Sequence, residues 1–386
     1  MLDRDWLTAA EAMDALGVRP QTLYAYVSRG RIEAKAQDGD PRKSLYRGAD
    51  VAELAKRKRQ GRKASQVAAA AIAWGEPVLP SAITTIHGGK LYYRGLDAAE
   101  LAKSRTLEAT AEHLWQSPPG LFAVPHQNPP TLGPAARGRM FGLLAARAAT
   151  DVAGRGRAAQ TLLPEAAALL EAFADAIAGQ KFDGPIHIRL ARAWNCDEEG
   201  ADLIRRTLVL AADHELNAST FAARVTASTG ASLAASALAG LAALSGPLHG
   251  GMAARVQVFV QESLKVGAAA AVRARIEAGL PIPGFGHPLY PGGDPRAAAL
   301  LHAFVLTPEY QAILDATLGV TGQWPNIDFA LTALAWTLDL PDEAPFLIFA
   351  MARLAGWTAH ALEQLQTGHL IRPRARYTGP PIAASA

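Results

Sequence analysis

From about Ser65 onward the chain is written almost wholly in Ala-rich segments whose apolar residues recur at helical spacing, among them "TAEHLWQ", "EAAALLEAFADAIA" and "ADLIRRTLVLAADHE". Such a sequence has few choices beyond helices that bury one face against each other around a shared core. Half of the 386 residues are hydrophobic, which is ample for a large core and for more than one domain. "AITTIHGGKLYYRG" (82–95) interrupts the helices with a short β-like piece, and the Pro-rich "SPPGLFAVPHQNPPTLGP" (117–134) reads as a connection. The longest uncharged stretch, Val225 to Ala254, is interrupted by Gly, Ser, Thr, Pro and His. It reads as a buried Ala-rich helix, not as a membrane span of about 20 predominantly apolar residues.

The N-terminal part has a different character. Residues 1–63 hold 14 Lys+Arg against 9 Asp+Glu, so a chain of formal net charge +3 concentrates its excess base here. "LTAAEAMDALGVRPQTLYAYVSRGRI" reads as helix, turn, helix: Thr8 is placed to N-cap, Gly17 to turn, and Ala12, Leu16, Leu23 and Val27 to face inward. A hairpin-like connection, a short helix and the basic run "KRKRQGRK" (56–63) follow. The segment resembles the winged helix-turn-helix of excisionase and MerR type. That resemblance makes Gln21, Thr22, Tyr24 and Arg29 the groove-facing candidates and the basic run a set of phosphate contacts. The competing reading is a small helical interaction module with a solvated basic linker.

Cys196 is the only cysteine, which rules out an intrachain disulfide or a cysteine-based metal cluster and suits a reducing cytosol. The first residues are acidic where a signal peptide would be basic, so a cytoplasmic protein is expected. No H-E-x-x-H metal signature occurs, and neither a metal nor a cofactor is expected.

The chemistry lies in short islands between the helices. "ADHELNAST" carries His214, "GPLHGG" His249, "GFGHPLYPGGDPR" His287 and Arg296, and "WPNIDF" Asp328; the last segment adds Arg353 and Arg372. Singly, each has an ordinary structural explanation, such as a helix cap or a solvated cation. Together they suit an anionic substrate, because arginine grips carboxylates through planar, bidentate contacts. A carboxylate in a partly desolvated pocket gains basicity and can take a proton from a carbon beside a carbonyl. Histidine can donate to the oxygen on which charge develops, and a second histidine can make another carbonyl electrophilic. Enol formation followed by carbon–carbon bond formation is the result.

With these islands in their order, the stretch from "GGKLYYRGLDAAELA" to "IRPRARYTGP" resembles the citrate synthase family. The resemblance implies a mainly α fold, with a large helical domain and a small mobile one at roughly residues 250–345, the whole at 81–386 after a 1–63 helix-turn-helix domain and a 64–80 linker. It implies that Asp328 takes the methyl proton of acetyl-CoA, His249 stabilises the enol at the thioester oxygen, and His287 polarises the ketone of oxaloacetate. His214, Arg296 and Arg353 would hold the oxaloacetate carboxylates, with Arg372 reaching the same substrate from a neighbouring subunit of a homodimer or dimer-based oligomer. Gly284, Phe285 and Gly286 would present backbone amides to CoA, and hydrolysis of citryl-CoA would release citrate.

The sequence also departs from the family's pattern. Pro288 and Pro291 stand where many bacterial members have Arg and Lys, which removes two positive charges near the CoA site. Ala330, Leu331 and Thr332 replace Tyr-Ser-Gly after the catalytic Asp, and Ala211 replaces a His common in NADH-inhibited members. The synthase-like part is short between residues 115 and 165. Two alternatives therefore stay open: a 2-methylcitrate synthase using propionyl-CoA, and a DNA-binding regulator that senses metabolites through a synthase-like domain.

Overall fold

The computed structural model describes residues 5–28, 31–37, 40–55, 79–123, 135–375 and 377–380. The chain divides into two compact units, Met1–Pro80 and Ser81–Ala386.

In the first unit, β1 (Trp6–Thr8) leads into α1 (Ala9–Leu16) and α2 (Pro20–Ser28), then β2 (Ala34–Gln37), β3 (Asp40–Arg47) and a helical run, α3, over 48–55. Thr8 and Glu11 form a reciprocal capping box that starts α1: the Thr8 amide donates to Glu11 Oε2 at 2.8 Å and the Glu11 amide to Thr8 Oγ1 at 3.3 Å. Gly17 ends the helix at φ +56°, a left-handed conformation that glycine adopts without steric cost. The three strands form an antiparallel sheet in the order β1-β3-β2. Ala12, Leu16 and Leu23 enter the core with Leu7, Ile32, Tyr46 and Val51, as the helical spacing requires, whereas Val27 is only half-buried. Strand β1 was not legible, because three residues carry no periodicity. Gln21, Thr22 and Tyr24 are exposed on α2, Tyr24 at 61%. Arg29, the basic run 56–63 and most of the linker lie outside the described residues.

The second unit opens with β4 (Thr84–His87), β5 (Lys90–Tyr93) and β6 (Leu96–Asp97), an antiparallel sheet in that order. Gly88 and Gly89, both at positive φ, make the two-residue hairpin turn. Helices follow: α4 (Ala98–Leu101), α5 (Leu107–Trp115), α6 (Ala136–Thr150), α7 (Ala159–Ala178), α8 (Ile186–Ala193), α9 (Glu198–Leu210), α10 (Ala218–Ser228), α11 (Leu233–Leu244), α12 (Met252–Val266), α13 (Ala268–Glu277), α14 (Pro295–Leu301), α15 (Pro308–Thr321), α16 (Ile327–Thr337) and α17 (Ala344–Thr367). The fold is mainly α, as expected. The uncharged stretch from Val225 to Ala254 is not one helix: it spans the end of α10, all of α11 and the start of α12, broken at Thr229–Ser232 and Ser245–Gly251. The breaks hold Gly230, Ser232, Ser245, Gly246, Pro247, Gly250 and Gly251, while Ser236 and Gly240 stay inside α11.

Two hydrophobic clusters fill this unit. The larger draws on helices from α4 to α17, and α17 is apolar almost all round because it runs through the middle of it. The smaller comprises Val256, Phe259, Val260, Ala271, Val272, Ile282, Phe285, Tyr310, Ile313, Phe329 and Ala333. Helix α16 contributes to both: Ile327, Ala330, Leu331 and Leu334 to the larger, Phe329 and Ala333 to the smaller.

Candidate active site

His214 sits in the tight turn between α9 and α10. Tyr93 of the hairpin fixes that turn, its hydroxyl donating to the carbonyls of Val209 and Leu210 at 3.0 Å. The Ile86 amide donates to Glu215 Oε1 at 3.0 Å from the other side, and Asn217 then caps α10. So held, His214 is buried, with Nε2 hydrogen-bonded to the Tyr290 hydroxyl at 2.9 Å and its ring edge-on to His287 at 5.3 Å.

The 284–296 segment is folded onto the start of α16. Gly284 (φ +82°) lies so close that a Cβ there would sit 2.8 Å from a Val256 methyl and 3.0 Å from Phe329 Cβ. Its carbonyl accepts from the Asn326 amide at 2.8 Å, and the Asn326 side chain donates to the Gly286 carbonyl at 3.1 Å. The Phe285 and Gly286 amides, expected to be offered to CoA, donate inward to the carbonyls of Ile282 and Trp324, and Phe285 stacks against Phe329. The glycines here serve close packing and positive φ. Beyond them, His287 Nδ1 accepts from the Leu289 amide at 3.2 Å, which leaves the proton of the neutral ring on Nε2. His287 and Tyr290 line a cavity together with Gly286, Gly293, Gln323 and Trp324.

Asp294 caps α14 and meets Arg296 through a two-point contact. Arg296 is thus buried but already paired along its Nε–Nη2 edge. Arg353, on α17, differs: its Nε donates to the Ala211 carbonyl at 3.0 Å, the guanidinium stacks on Phe349, and Nη2 is buried with no hydrogen-bond partner. An orphaned guanidinium nitrogen of this kind fits an incoming carboxylate. His249 lies in the turn before α12, its Nε2 2.8 Å from Ser219 Oγ, which also accepts from the Trp357 indole at 3.1 Å. Asp328 is in the first turn of α16, capped by Asn326, and is half-buried.

Burial and neighbouring charges tune these groups in opposite directions. Desolvation, with Arg353 second, pushes His249 down to about 4; desolvation and then Arg296 do the same to His287. His214 is held well below its ordinary value by burial, then by Arg296 and Arg353. All three rings are neutral near pH 7. Desolvation pushes Asp328 up to about 6, with Arg296 opposing, and brings Arg353 down to about 10, which leaves it charged. A carboxylate of raised basicity beside neutral histidines and cations is an acid–base constellation.

Six sequence-derived residues are therefore brought into electrostatic reach of one another: His214, His249, His287, Arg296, Asp328 and Arg353. Arg372 is not among them; it is exposed, and among the described residues no hydrogen bond or ion pair joins it to the six. Sequence reasoning passed over Ser219, Asp213 and the part played by Tyr290. Only the "DHELNAS" context of Ser219 and the Tyr inside a Gly/Pro-rich island could have drawn attention to them. Among the described residues no cluster of three His, Cys, Asp or Glu is arranged for a metal, and no helix is long and apolar enough to cross a membrane.

The arrangement is a candidate acid–base site, with a buried guanidinium suited to a carboxylate, between helices of a mainly α chain. The model of the citrate synthase C-terminal domain matches residues 136–374, and that of a helix-turn-helix domain matches residues 6–59. Citrate synthase 2 of Bacillus subtilis is 40% identical over 190 residues, covering 46% of this chain and 51% of the relative; the citrate synthase of Haloferax volcanii is 36% identical over 191 residues, covering 46% and 50%. The chain spans about half the length of the curated relatives it matches. Among solved structures, citrate synthase from Pyrobaculum aerophilum superposes with a TM-score of 0.68 at 27% identity over 80% of this chain and 92% of that one, and the enzyme from Thermotoga maritima with 0.65 at 25% over 81% and 96%. The chain belongs to the citrate synthase family, with a helix-turn-helix domain at its N-terminal end.

Proposed function

We propose that this protein condenses acetyl-CoA with oxaloacetate and water to give citrate and CoA. The observation that carries the reading is Asp328, a carboxylate raised to about 6, placed with three neutral histidines and the unpartnered Nη2 of Arg353. Arg353 and the free edge of Arg296 hold the oxaloacetate carboxylates, with His214 between them. His287, with its proton on Nε2, donates to the ketone oxygen and makes that carbon electrophilic. Asp328 removes a methyl proton from the thioester. Ser219 donates its hydroxyl to Asn217 Oδ1 at 2.7 Å and accepts from Trp357, so it holds the His249 ring through Nε2 beside the thioester oxygen, where the enol forms. The enol carbon bonds to the ketone carbon, and water then cleaves the citryl thioester. No cofactor enters the scheme, and Arg372 completes the site from a second copy of the chain in a homodimer.

The test is thiol release from acetyl-CoA and from propionyl-CoA, each with and without oxaloacetate, with Asp328→Asn as the blank. Oxaloacetate-dependent release that falls by about two to four orders of magnitude in the variant supports the reading; a variant with unchanged turnover overturns the role of Asp328. A preference for propionyl-CoA makes the protein a 2-methylcitrate synthase, since one methylene is worth only about 1 to 3 kcal/mol of selectivity.

Pro288 and Pro291, together with the helix-turn-helix domain, favour a second reading in which the site serves to sense these metabolites for a DNA-binding unit. Salt-dependent duplex binding that changes with oxaloacetate or CoA esters, in a protein without turnover, supports it; absence of binding at low salt overturns it.

A further inference from the structure

The proposed chemistry uses Arg353 but leaves the buried polar groups behind it without a task. Asp213 and His360 are wholly buried, and His360 Nε2 lies 3.2 Å from Asp213 Oδ2. A pair of this kind adds little to stability compared with apolar side chains of the same volume, because desolvation cancels most of the attraction.

Its placement suggests its use. Arg353, Gly356, His360 and Gln364 fall three, four and four residues apart, which makes one stripe along α17. Gly356 brings the 211–213 segment flat onto that stripe: its amide donates to the Ala212 carbonyl at 3.1 Å, and a Cβ there would collide with the Asp213 carboxylate. Arg353 lies about one turn before Gly356 on α17 and His360 about one turn after it, and both act electrostatically on the Asp213 carboxylate packed there. The stripe continues outward through Arg224, whose Nη1 meets Glu363 at 2.8 Å and Nε meets Gln364 at 2.7 Å. Gln364 in turn donates to the His369 carbonyl at 2.8 Å, where the C-terminal segment leaves α17.

We infer that His360 is a positioning residue for Arg353: by holding the Asp213 carboxylate from behind, it keeps that carboxylate from closing on the guanidinium, so that Nη2 stays open for the substrate. An unrestrained buried carboxylate beside an unpartnered guanidinium would pair with it and compete with oxaloacetate. The inference rests on the functional reading above, in which Arg353 binds a substrate carboxylate.

The experiment is calorimetric binding of oxaloacetate to the full chain, paired with KM for both substrates. In His360→Ala, oxaloacetate binds about tenfold more weakly, while KM for acetyl-CoA stays as in the native protein. His360→Gln, which retains an N–H donor, recovers most of the affinity. The double variant His360→Ala/Asp213→Asn, with the competing carboxylate gone, binds oxaloacetate more tightly than His360→Ala alone. A purely structural pair gives the opposite: the double variant is worse than the single, and both KM values shift together. That result, or unchanged oxaloacetate affinity in His360→Ala, overturns the inference. If the alanine variant does not fold, His360→Asn, too short to reach Asp213, reads the same quantity. A native protein that binds no oxaloacetate overturns the functional reading itself, before any variant is compared.

Discussion

Asp294 and Arg296 meet edge to edge, Oδ1 on Nε at 2.9 Å and Oδ2 on Nη2 at 2.8 Å, while the same Oδ2 accepts the Ile327 amide at 3.0 Å. One carboxylate therefore orients Arg296, caps α14 and ties the start of α16 to it. Asp294→Ala leaves a buried guanidinium without its counter-ion and should cost about 3 to 5 kcal/mol. Denaturant unfolding measures this; a loss under about 1 kcal/mol would mean that water or another group replaces the carboxylate.

Tyr290→Phe removes the hydroxyl that meets His214 Nε2 at 2.9 Å. Since both groups are buried, the unpaired ring nitrogen should cost about 1 to 3 kcal/mol, and oxaloacetate KM should rise as His214 loses its orientation. Steady-state kinetics and thermal unfolding of the same sample separate the two effects. An unchanged KM would place His214 outside the binding step.

Acid should weaken the fold through the histidines. His214, His249 and His287 have folded-state values below 6.5, so the native protein binds fewer protons than the unfolded chain in this range. Their contribution is full above about pH 6.5 and falls with pH below it, that of His249 and His287 being lost toward about 4. Asp328 acts oppositely: raised from 3.8 to about 6, it favours the folded state below 3.8 and loses that contribution as pH rises through about 6. His187 is lowered too and Glu215 raised, so four groups against two predict a net fall in stability on acidification, measurable as a declining urea midpoint from pH 7 to 4.5.

The same Asp328 value sets the pH dependence of rate. Proton abstraction needs the carboxylate, so kcat/KM should climb through about pH 6 and level off above it. A profile flat from pH 5 to 8 would remove Asp328 as the base.

In the N-terminal unit, Thr8→Ala abolishes the side-chain half of the capping box. A cap of this type is worth about 1 kcal/mol, so amides in α1 should exchange about fivefold faster. Hydrogen exchange resolved by peptide reads this without involving the larger unit; unchanged rates would show that the cap does not limit opening there.

The parts of the site legible in the sequence were those announced by helix breakers. His249 and Asp328 lie at helix starts and His287 in the connection between α13 and α14, each within two residues of Gly, Pro or Asn, where a side chain can leave the core. Arg353 was legible as one cation of the set, but its particular role came only through resemblance, since nothing distinguishes an arginine inside "FAMARLAGW" until its burial is known. The Asp213–His360 pair was hidden for a related reason. Its members are 147 residues apart, and only the packing of the 211–213 turn on α17 joins them. The long uncharged stretch misled because composition reports burial and says little about where a helix stops.

Helix α16 has Ile327, Ala330, Leu331 and Leu334 in one core and Phe329 and Ala333 in the other, with Asp328 in its first turn. A rod set in two walls cannot follow one wall without dragging on the second. Asp328, the proposed proton acceptor, is thus mounted on the helix that the two cores share. Small apolar changes at Leu331 in one core or Ala333 in the other are then a route to altered turnover that leaves the base itself in place.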